Sequence, residues 1–457
     1  MISSPAPGSG KTVFTAGLLR VCSRRGLKVQ PYKCGPDSMD AQLLALAGNR
    51  DCINLDTWLA SRTHTQQIYN EYGEYADVCI TEGKGGLFDG HDGIKGSSAE
   101  LAALMQIPVI LIVNARTMGY SAAGVLHGFK NLYDKIRIAG VVFNHVSAAA
   151  HLNCLKKACE DVGLECLGAL PTIPDIHFPT KHSSLTASAK QAFEQQADIV
   201  ADYIEQHIPI QKILHICQRI FPCNISLPYS SEADPTLFMP RNRQLHIAIA
   251  KDPAFPFVNR INLERLKELG KIHYFSPVYG SNLPQCDLLY LPDGYPELFA
   301  RQLHRRKKLL DEIRNYAIND GKILAEGGGM VLLGESILLK RETQYEFTGL
   351  LPLHFKAEEQ RLTQGYRLFQ WHQQSIRGHE FRYLTLLNTE NLQSNEIASS
   401  TAQNSYGAET SSLFLRYKNI IACTARLYWG ESNLMDWWKD LQHKTHERIS
   451  FFDKKTE

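Results

Sequence analysis

Several kinds of feature are scarce in this sequence, and each absence excludes a class of protein. The formal net charge of the 457 residues is only +2, which argues against a dominant nucleic-acid surface. No run of about 20 apolar residues occurs, so the sequence predicts no transmembrane helix. The chain does not begin with a basic region followed by an apolar one, so we expect no export signal and a cytoplasmic protein.

Disulfide and metal-binding patterns are scarce as well. The 11 cysteines show no C-x-x-C spacing, and an odd number of them in a chain without an export signal favours reduced thiols. The 17 histidines form no cluster with metal-ligand spacing. His379 and Glu380 are the only neighbours that resemble a catalytic pair, and such adjacency is more often structural.

Length and composition predict a globular protein with two domains. Apolar residues make up 44% of the chain and charged residues 21%. A length of 457 residues exceeds what one core supports. We place the domains at residues 1–207 and 241–436, with a linker over 208–240 and a charged tail over 437–457.

A phosphate-binding loop is predicted at the start of the chain, in the segment Gly8-Ser9-Gly10-Lys11-Thr12. Its glycines allow backbone N–H groups to turn inwards, its lysine can reach terminal phosphates, and its threonine hydroxyl can bind Mg²⁺. A predicted helix over residues 13–25 directs its positive end at the same anion. Because Pro5 stands where the full pattern has glycine, an ordinary glycine-rich turn is the alternative.

The strand that carries this loop is expected to be short. A phosphate loop normally follows a buried strand of about five residues, whereas only Met1 and Ile2 precede this one. We therefore expect either a stunted first strand or a true start upstream of Met1.

Apolar segments alternate with helix-like segments in both halves of the chain. In the first half, strands are predicted at residues 27–33, 78–83, 108–114, 138–144 and 167–171. Three further strands are predicted in the second half, at residues 245–250, 287–291 and 322–325. This alternation predicts the α/β class, with two doubly wound domains.

Polar residues follow or end several of these strands. Lys33, Asp37 and Asp40 accompany the second strand, and Glu82 ends the third. Open α/β sheets bind ligands at the carboxyl ends of their strands, where Glu82 falls. Asp37 and Asp40, two carboxylates three residues apart beside a lysine, suit magnesium binding or orientation of a reacting group. An acidic turn is the alternative. Asn144 ends a later strand, where it could contact an adenine edge or serve as a turn residue.

Together, in this order, these landmarks resemble the cobyrinic acid a,c-diamide synthase family of ATP-dependent amidotransferases. The family motifs K-x-G-P-D-x-x-D, N-L-D-x-W, E-G-x-x-G-L-x-D-G and I-A-G-V-x-x-N are similar to residues 33–40, 54–58, 82–90 and 138–144. In the second half, L-P-G-G-Y-P-E-L is similar to residues 291–298. Lys181 and His182 also fit, whereas Asn114 and His145 replace the usual Asp and Arg.

The resemblance implies a fold and a reaction. The first domain would be a P-loop domain like that of the dethiobiotin synthases, and the second a class I glutaminase-like domain. ATP would convert a substrate carboxylate to an acyl phosphate, which ammonia would attack. The implied substrate is a cobyrinic-acid-type tetrapyrrole, amidated on its a and c side chains, and we expect a homodimer.

The same resemblance implies roles for the polar residues. Lys11 and the loop amides would hold the triphosphate, and Lys33 would neutralise charge on the transferring phosphoryl group. Asp40 would orient the substrate or help to deprotonate ammonium. The ligands of Mg²⁺ would be Thr12, Glu82 and Asp37.

The glutaminase half departs from the family pattern where its chemistry resides. Gly327 replaces the cysteine of A-E-C-G-G, and Arg426 replaces the first histidine of A-S-Y-x-H-L-H. Glutamine hydrolysis through a thioester requires a thiolate and a base, and these residues supply neither. Cys423 aligns with a serine, and no spacing supports its use as a substitute. We therefore expect a ligase that depends on free ammonia.

A repurposed relative is the alternative. Its first domain would act on a non-tetrapyrrole carboxylate or only bind nucleotide, and its second domain would be a pseudo-glutaminase scaffold.

Overall fold

The computed structural model describes residues 1–146, 148–179, 185–218, 244–280, 282–340, 343–358, 360–371, 374–387 and 397–439. Within these residues the predicted α/β class is confirmed, because two domains are each built on a sheet with parallel strands. Lys181, His182, most of the predicted linker and most of the predicted tail lie outside the described residues.

The first domain is a seven-stranded parallel sheet in the order β3-β2-β4-β1-β5-β6-β7. Its strands are β1 (Ile2–Ser3), β2 (Val29–Cys34), β3 (Ile53–Leu55), β4 (Val78–Glu82), β5 (Val109–Asn114), β6 (Ile138–Asn144) and β7 (Cys166–Leu170). Their side chains are buried on both faces, as near-continuous apolar strands of a parallel sheet require.

Helices cover both faces of this sheet. One face packs against α1 (Lys11–Arg24), α2 (Ser38–Gly48), α7 (Ala187–His207) and α8 (Ile210–Cys217). The other packs against α3 (Arg62–Gly73), α4 (Ser98–Met105), α5 (Ala122–Asn131) and α6 (Ala149–Val162). The sheet therefore has the doubly wound arrangement that the alternation predicts.

The first strand is as short as the sequence suggests. β1 has two residues and lies between β4 and β5, where Ile2 pairs with Glu82 and Ile110. The amino group of Met1 also donates to the carbonyl oxygen of Pro108, at 2.7 Å. Both neighbouring strands are longer, so they hold the phosphate loop at the centre of the sheet.

Two boundaries differ from the sequence-based placement. Residues 210–217, predicted to belong to a linker, form α8, because Ile210 and Ile213 are buried against the first core. At the other end, Trp437 and Trp438 are buried in the second core, although they fall within the predicted tail. Apolar packing therefore extends both domains beyond the proposed limits.

The second domain is a ten-stranded mixed sheet in the order β21-β16-β15-β18-β19-β20-β11-β10-β8-β9. Its parallel half is β8 (Leu245–Ala250), β9 (Gly270–Phe275), β10 (Leu288–Leu291), β11 (Lys322–Glu326) and β20 (Ile420–Cys423). Its antiparallel half is β15 (Thr363–Trp371), β16 (Gln374–Arg382), β18 (Ile397–Gln403), β19 (Glu409–Tyr417) and β21 (Arg426–Tyr428). The strands predicted from the sequence do not include this antiparallel half.

Smaller elements complete the second domain. Its helices are α9 (Arg260–Leu269), α10 (Ala300–His304), α11 (Lys307–Ile318) and α12 (Gly328–Leu333). A separate four-stranded sheet contains β12 (Ser336–Leu338), β13 (Gln344–Glu346), β14 (His354–Ala357) and β17 (Leu384–Leu387). No helix among the described residues combines the length and apolar character needed to cross a membrane.

Polar contacts join the two domains. The hydroxyl of Tyr366 in the second domain donates to Oδ2 of Asp56, at 2.6 Å, and accepts from Nζ of Lys84, at 2.8 Å. The ring of Trp58 stacks on the ring of Tyr366, with 4.6 Å between centroids. Because Tyr366 is itself buried, these contacts fix the second domain over the carboxyl edge of the first sheet.

Candidate functional site

The phosphate-loop segment has the backbone shape that an anion requires. Gly8 and Gly10 have φ values of +76° and +93°, the left-handed region that glycine adopts without strain. Gly10 precedes α1, whose first turn has no side-chain cap. The N–H groups of that turn are therefore available to phosphate oxygens. The hydroxyl of Ser9 donates back to the carbonyl oxygen of Ala6, at 2.8 Å, which stabilises the turn.

Lys11 and Thr12 direct their side chains towards the end of β4. Nζ of Lys11 donates to Oγ of Ser4, at 2.9 Å, and to the carbonyl oxygen of Gly85, at 2.7 Å. Burial lowers the pKa of Lys11. The hydroxyl of Thr12 donates to Oε1 of Glu82, at 2.9 Å. The lysine, the threonine and the buried carboxylate thus lie at one corner of the sheet.

A buried charge cluster lies beside this corner. Nζ of Lys33 is 2.5 Å from Oε1 of Glu82 and 2.7 Å from Oδ2 of Asp40. Burial disfavours the charge on Lys33, but the neighbouring carboxylates more than offset it and raise its pKa, so the ammonium persists. Burial also raises the pKa of Glu82, and the ammonium of Lys33 opposes that increase.

The other two predicted residues have structural contacts of their own. Asp37 caps α2, because its Oδ1 accepts from the backbone N–H of Asp40 at 3.0 Å. Asn144 contacts the loop itself: its Nδ2 donates to the carbonyl oxygen of Ser9, at 3.2 Å. A Cβ atom on Gly10 would lie 2.3 Å from that amide nitrogen. These contacts give Asn144 a role in loop shape, and contact with an adenine edge stays a prediction.

A cleft of about 440 Å³ runs between the two domains and gathers most of the predicted residues. From the first domain it is lined by Gly8, Lys11, Thr12, Lys33, Asp37, Asp40 and Glu82. From the second domain it is lined by Phe257, Tyr295, Tyr366, His379, Phe381 and Arg426. Basic and acidic groups therefore face an aromatic wall, which suits a ligand with both carboxylates and an apolar body.

The donor set in this cleft fits Mg²⁺ held partly by a nucleotide. Oε2 of Glu82 is buried and has no hydrogen-bond partner among the described residues, and the hydroxyl of Thr12 contacts the other oxygen. No group of three or more His, Cys, Asp and Glu side chains in the described part of the chain could hold a metal alone. Mg²⁺ commonly takes one or two protein ligands and completes its shell with phosphates and water, so this set is sufficient.

The glutaminase-like position has the backbone turn but not the nucleophile. Gly327 lies between β11 and α12 with φ +47°, a strand–turn–helix geometry that exposes a residue at its tip. In place of a nucleophile stands Asp293, whose Oδ1 accepts from the N–H groups of Gly294, at 2.8 Å, and Gly328, at 2.9 Å. The amide after a nucleophile normally contributes to an oxyanion hole. Here a carboxylate of the chain itself occupies that position.

Arg426 pairs with this carboxylate. Its Nη2 donates to Oδ2 of Asp293, at 2.8 Å, and its guanidinium lies 4.9 Å from the centroid of the Phe257 ring. Burial disfavours the charge, but Asp293 raises the pKa of Arg426. The remaining cavity beside Gly327 is about 10 Å³, room for about one water molecule at most.

Two further groups near this pocket are not nucleophiles. Burial raises the pKa of Cys423 well above its ordinary value, so the thiol stays protonated and unreactive. Oε2 of Glu326 accepts from the hydroxyl of Tyr290, and Oε1 accepts from the N–H of Leu427. Burial raises the pKa of Glu326 to about 8.

Glu380, adjacent to His379, has arginine partners. The carboxylate of Glu380 is buried and accepts from Nε of Arg367, at 2.8 Å, and Nε of Arg382, at 2.7 Å. The imidazole of His379 instead lies edge-on to the ring of Tyr366. Glu380 is therefore a structural carboxylate, as the sequence-based interpretation favours.

The contacts of Asp293 with Gly328 and Arg426 were not predicted from the sequence. The signal was present, because the pattern L-P-G-G-Y-P-E-L has glycine where this chain has Asp293. The sequence alone does not reveal that Asp293 lies beside Gly327 and Arg426, because these residues are far apart in the chain.

Comparisons with known proteins find a match for each half of the chain. Residues 1–185 match the CobQ/CobB/MinD/ParA nucleotide binding domain, and residues 246–431 match the CobB/CobQ-like glutamine amidotransferase domain. A cobyrinate a,c-diamide synthase of Archaeoglobus fulgidus is 32% identical over 84% of this chain and 84% of that protein. A cobyrinate a,c-diamide synthase of Dehalococcoides mccartyi is 36% identical over 77% of this chain and 76% of that protein. A hydrogenobyrinate a,c-diamide synthase of Brucella anthropi is 34% identical over 85% and 89%.

Gly327→Cys alone is expected to leave the protein without glutaminase activity. The new Cβ would lie 1.9 Å from Oδ1 of Asp293, and Arg426 would still supply no base. Glutamate release from glutamine, measured with a coupled enzyme, should equal that of the wild type and of the Gly327→Ala control. Glutamate release by Gly327→Cys above these levels would contradict this expectation, because it would show that the pocket admits glutamine and contains a base.

The carboxyl group of Glu326 should make stability depend on pH. Its folded pKa is about 8, against about 4.3 in an unfolded chain. Between these values the folded protein keeps a proton that the unfolded chain releases. The free energy of unfolding should therefore fall as pH rises, by at most about 1.4 kcal/mol per pH unit.

Glu326→Gln has no such proton, so its free energy of unfolding should lose this part of the dependence on pH. Urea unfolding curves recorded between pH 5 and pH 8 would measure the free energy at each pH. Glu346→Gln, at an exposed carboxyl, serves as the control. Equal slopes in wild type and Glu326→Gln would contradict a neutral carboxyl group.

Proposed function

Because the chain belongs to the family of cobyrinate and hydrogenobyrinate a,c-diamide synthases, we propose that it amidates a cobyrinic-acid-type tetrapyrrole using ATP and free ammonia. The observation that carries this proposal is the contact of Lys33 with Glu82 and Asp40 in the same cleft as Lys11 and the loop. The cleft therefore has groups for a triphosphate, a divalent cation and a reacting carboxylate. The homodimer and the cytoplasmic location remain predictions.

The first step activates the carboxylate. A carboxylate oxygen attacks the γ-phosphorus of ATP, the bond to ADP breaks, and an acyl phosphate forms. Lys11 and the amides of the loop would hold the triphosphate, and Lys33 would neutralise charge on the moving phosphoryl group. Bound Mg²⁺ would supply charge neutralisation between the phosphates, with Thr12, Glu82 and Asp37 as the residues that hold it.

The second step forms the amide. Ammonia attacks the acyl carbon, phosphate leaves, and the extra proton on nitrogen is transferred to a base. Asp40 suits this role, because its side chain is 20% exposed and borders the cleft while one oxygen contacts Lys33. The second domain supports the ammonia requirement, since Asp293 and Arg426 fill the site where glutamine would be hydrolysed.

The nitrogen source tests this function. Wild-type protein with cobyrinic acid, ATP and Mg²⁺ should yield the diamide with ammonium chloride and no product with glutamine, as measured by product mass. Equal product from glutamine would contradict the closed glutaminase site. ATP turnover with another carboxylate, and none with cobyrinic acid, would instead favour the repurposed relative.

Lys11→Ala should abolish ATP turnover, because the loop would lose the ammonium that reaches the terminal phosphates. Phosphate release in the presence of cobyrinic acid and ammonium measures this loss. Lys157→Ala removes an exposed ammonium on α6 and should leave turnover unchanged. Turnover that survived Lys11→Ala would refute the phosphate-loop assignment.

A further inference from the structure

Arg426 connects Asp293 of the second domain to the residues on either side of Asp37 in the first domain. Its Nη2 contacts Asp293, and its Nη1 contacts the hydroxyl of Ser38 and the carbonyl oxygen of Pro36. We propose that Arg426, held by Asp293, is a positioning residue that fixes the segment 36–38 and with it the carboxylate of Asp37. The pseudo-glutaminase domain would then complete the metal site of the first domain.

The Asp293 end of this bridge is rigid. Two backbone N–H groups, those of Gly294 and Gly328, bind Oδ1 and leave Oδ2 directed at the arginine. A Cβ atom on Gly327 would meet Oδ1 at 1.9 Å. The carboxylate can therefore sit between these amides only because residue 327 has no side chain, which couples the lost nucleophile to the new ion pair.

The contacts of Arg426 require a planar side-chain group with several N–H donors. The side chain of Arg426 is only 11% exposed, and its guanidinium lies over the ring of Phe257. Its two terminal nitrogens contact different domains. A guanidinium presents several N–H groups in a fixed plane, whereas a lysine ammonium is a single point charge. Lysine at this position could keep the charge but could not maintain both contacts.

The segment that the bridge holds carries the candidate ligand. Asp37 lies between the two residues that Arg426 contacts and caps α2, the helix that also carries Asp40. The first domain also holds this segment, because Nδ2 of Asn54 donates to the carbonyl oxygens of Gly35, at 2.8 Å, and Asp37, at 3.0 Å. The position of Asp37 thus depends on contacts from both domains.

This inference rests on the proposed assignment of Asp37 to Mg²⁺, so its test uses binding and not amidation. Titration calorimetry would measure how much Mg²⁺ is needed for half-maximal ATP binding, without carboxylate or ammonia. The variants are Arg426→Lys, Arg426→Gln and Ser38→Ala. The control is Arg260→Gln, which removes another inter-domain arginine, paired with Asp51 at 2.7 Å.

If Arg426 positions the segment, its loss should raise the Mg²⁺ concentration needed for half-maximal ATP binding, whereas simple electrostatics predicts a decrease. Loss of a positive charge near the cleft should by itself favour cation binding. We instead expect Arg426→Gln and Arg426→Lys to need about tenfold more Mg²⁺, since each loses charge-assisted hydrogen bonds to the segment. Ser38→Ala should shift the midpoint in the same direction by less, and Arg260→Gln should stay within about twofold.

Other outcomes overturn the proposal. Unchanged or lower midpoints in Arg426→Gln and Ser38→Ala would show that the bridge does not position the site. An equal increase in Arg260→Gln would show a general loosening of the interface. Ser38→Ala keeps Asp293 paired with Arg426, so it gives an answer even if an Arg426 variant fails to fold. A wild type that binds ATP and Mg²⁺ normally but amidates nothing would contradict the proposed function alone.

Discussion

The buried ammonium of Lys33 is the constraint on which the cleft depends. An unpaired charge at this depth would cost several kcal/mol, so two carboxylates must accompany it. Glu82 comes from the end of β4 and Asp40 from the first turn of α2, and both contact the same nitrogen. Through the hydroxyl of Thr12, the cluster also extends to the phosphate loop. The charge of Lys33 thereby brings the end of β4, the start of α2 and the phosphate loop together beside β2.

The position of this cluster in the sheet explains why a two-residue strand is sufficient. β1 lies between β4 and β5, so the loop that follows it emerges beside the end of β4. The second domain then closes the same edge, with Tyr366 bound to Asp56 and Lys84. A ligand in the cleft would therefore contact both domains at once, and neither domain alone forms the complete wall.

Local sequence predicted the first domain well because its signals are local. Buried parallel strands such as residues 109–114 are continuous apolar runs, and the loop glycines precede a lysine and a threonine at fixed spacing. The same reasoning placed Glu82 at the ligand-binding edge of the sheet, but it did not foresee that Lys33 and Asp40 contact each other and Glu82 there. It failed at α8, where burial of Ile210 and Ile213 outweighs a composition typical of linkers.

The second domain could be predicted only in part, because its decisive contacts are distant in the chain. The missing nucleophile at Gly327 and the missing base at Arg426 were visible as single departures from a pattern. Their consequence was not, since Asp293 meets them only when β10, β11 and β21 lie in one sheet. The antiparallel half of that sheet was missed for a similar reason: alternation within a strand does not reveal which strand it pairs with.

The central claim is that the first domain performs the ligation while the site of glutamine hydrolysis is closed by the chain itself. Its most direct test is a competition between nitrogen sources in one reaction. Wild-type protein would receive cobyrinic acid, ATP, Mg²⁺, amide-¹⁵N-labelled glutamine and unlabelled ammonium, and the mass of the diamide would be measured. The structure predicts product without ¹⁵N enrichment, and enrichment in the product amides would contradict it.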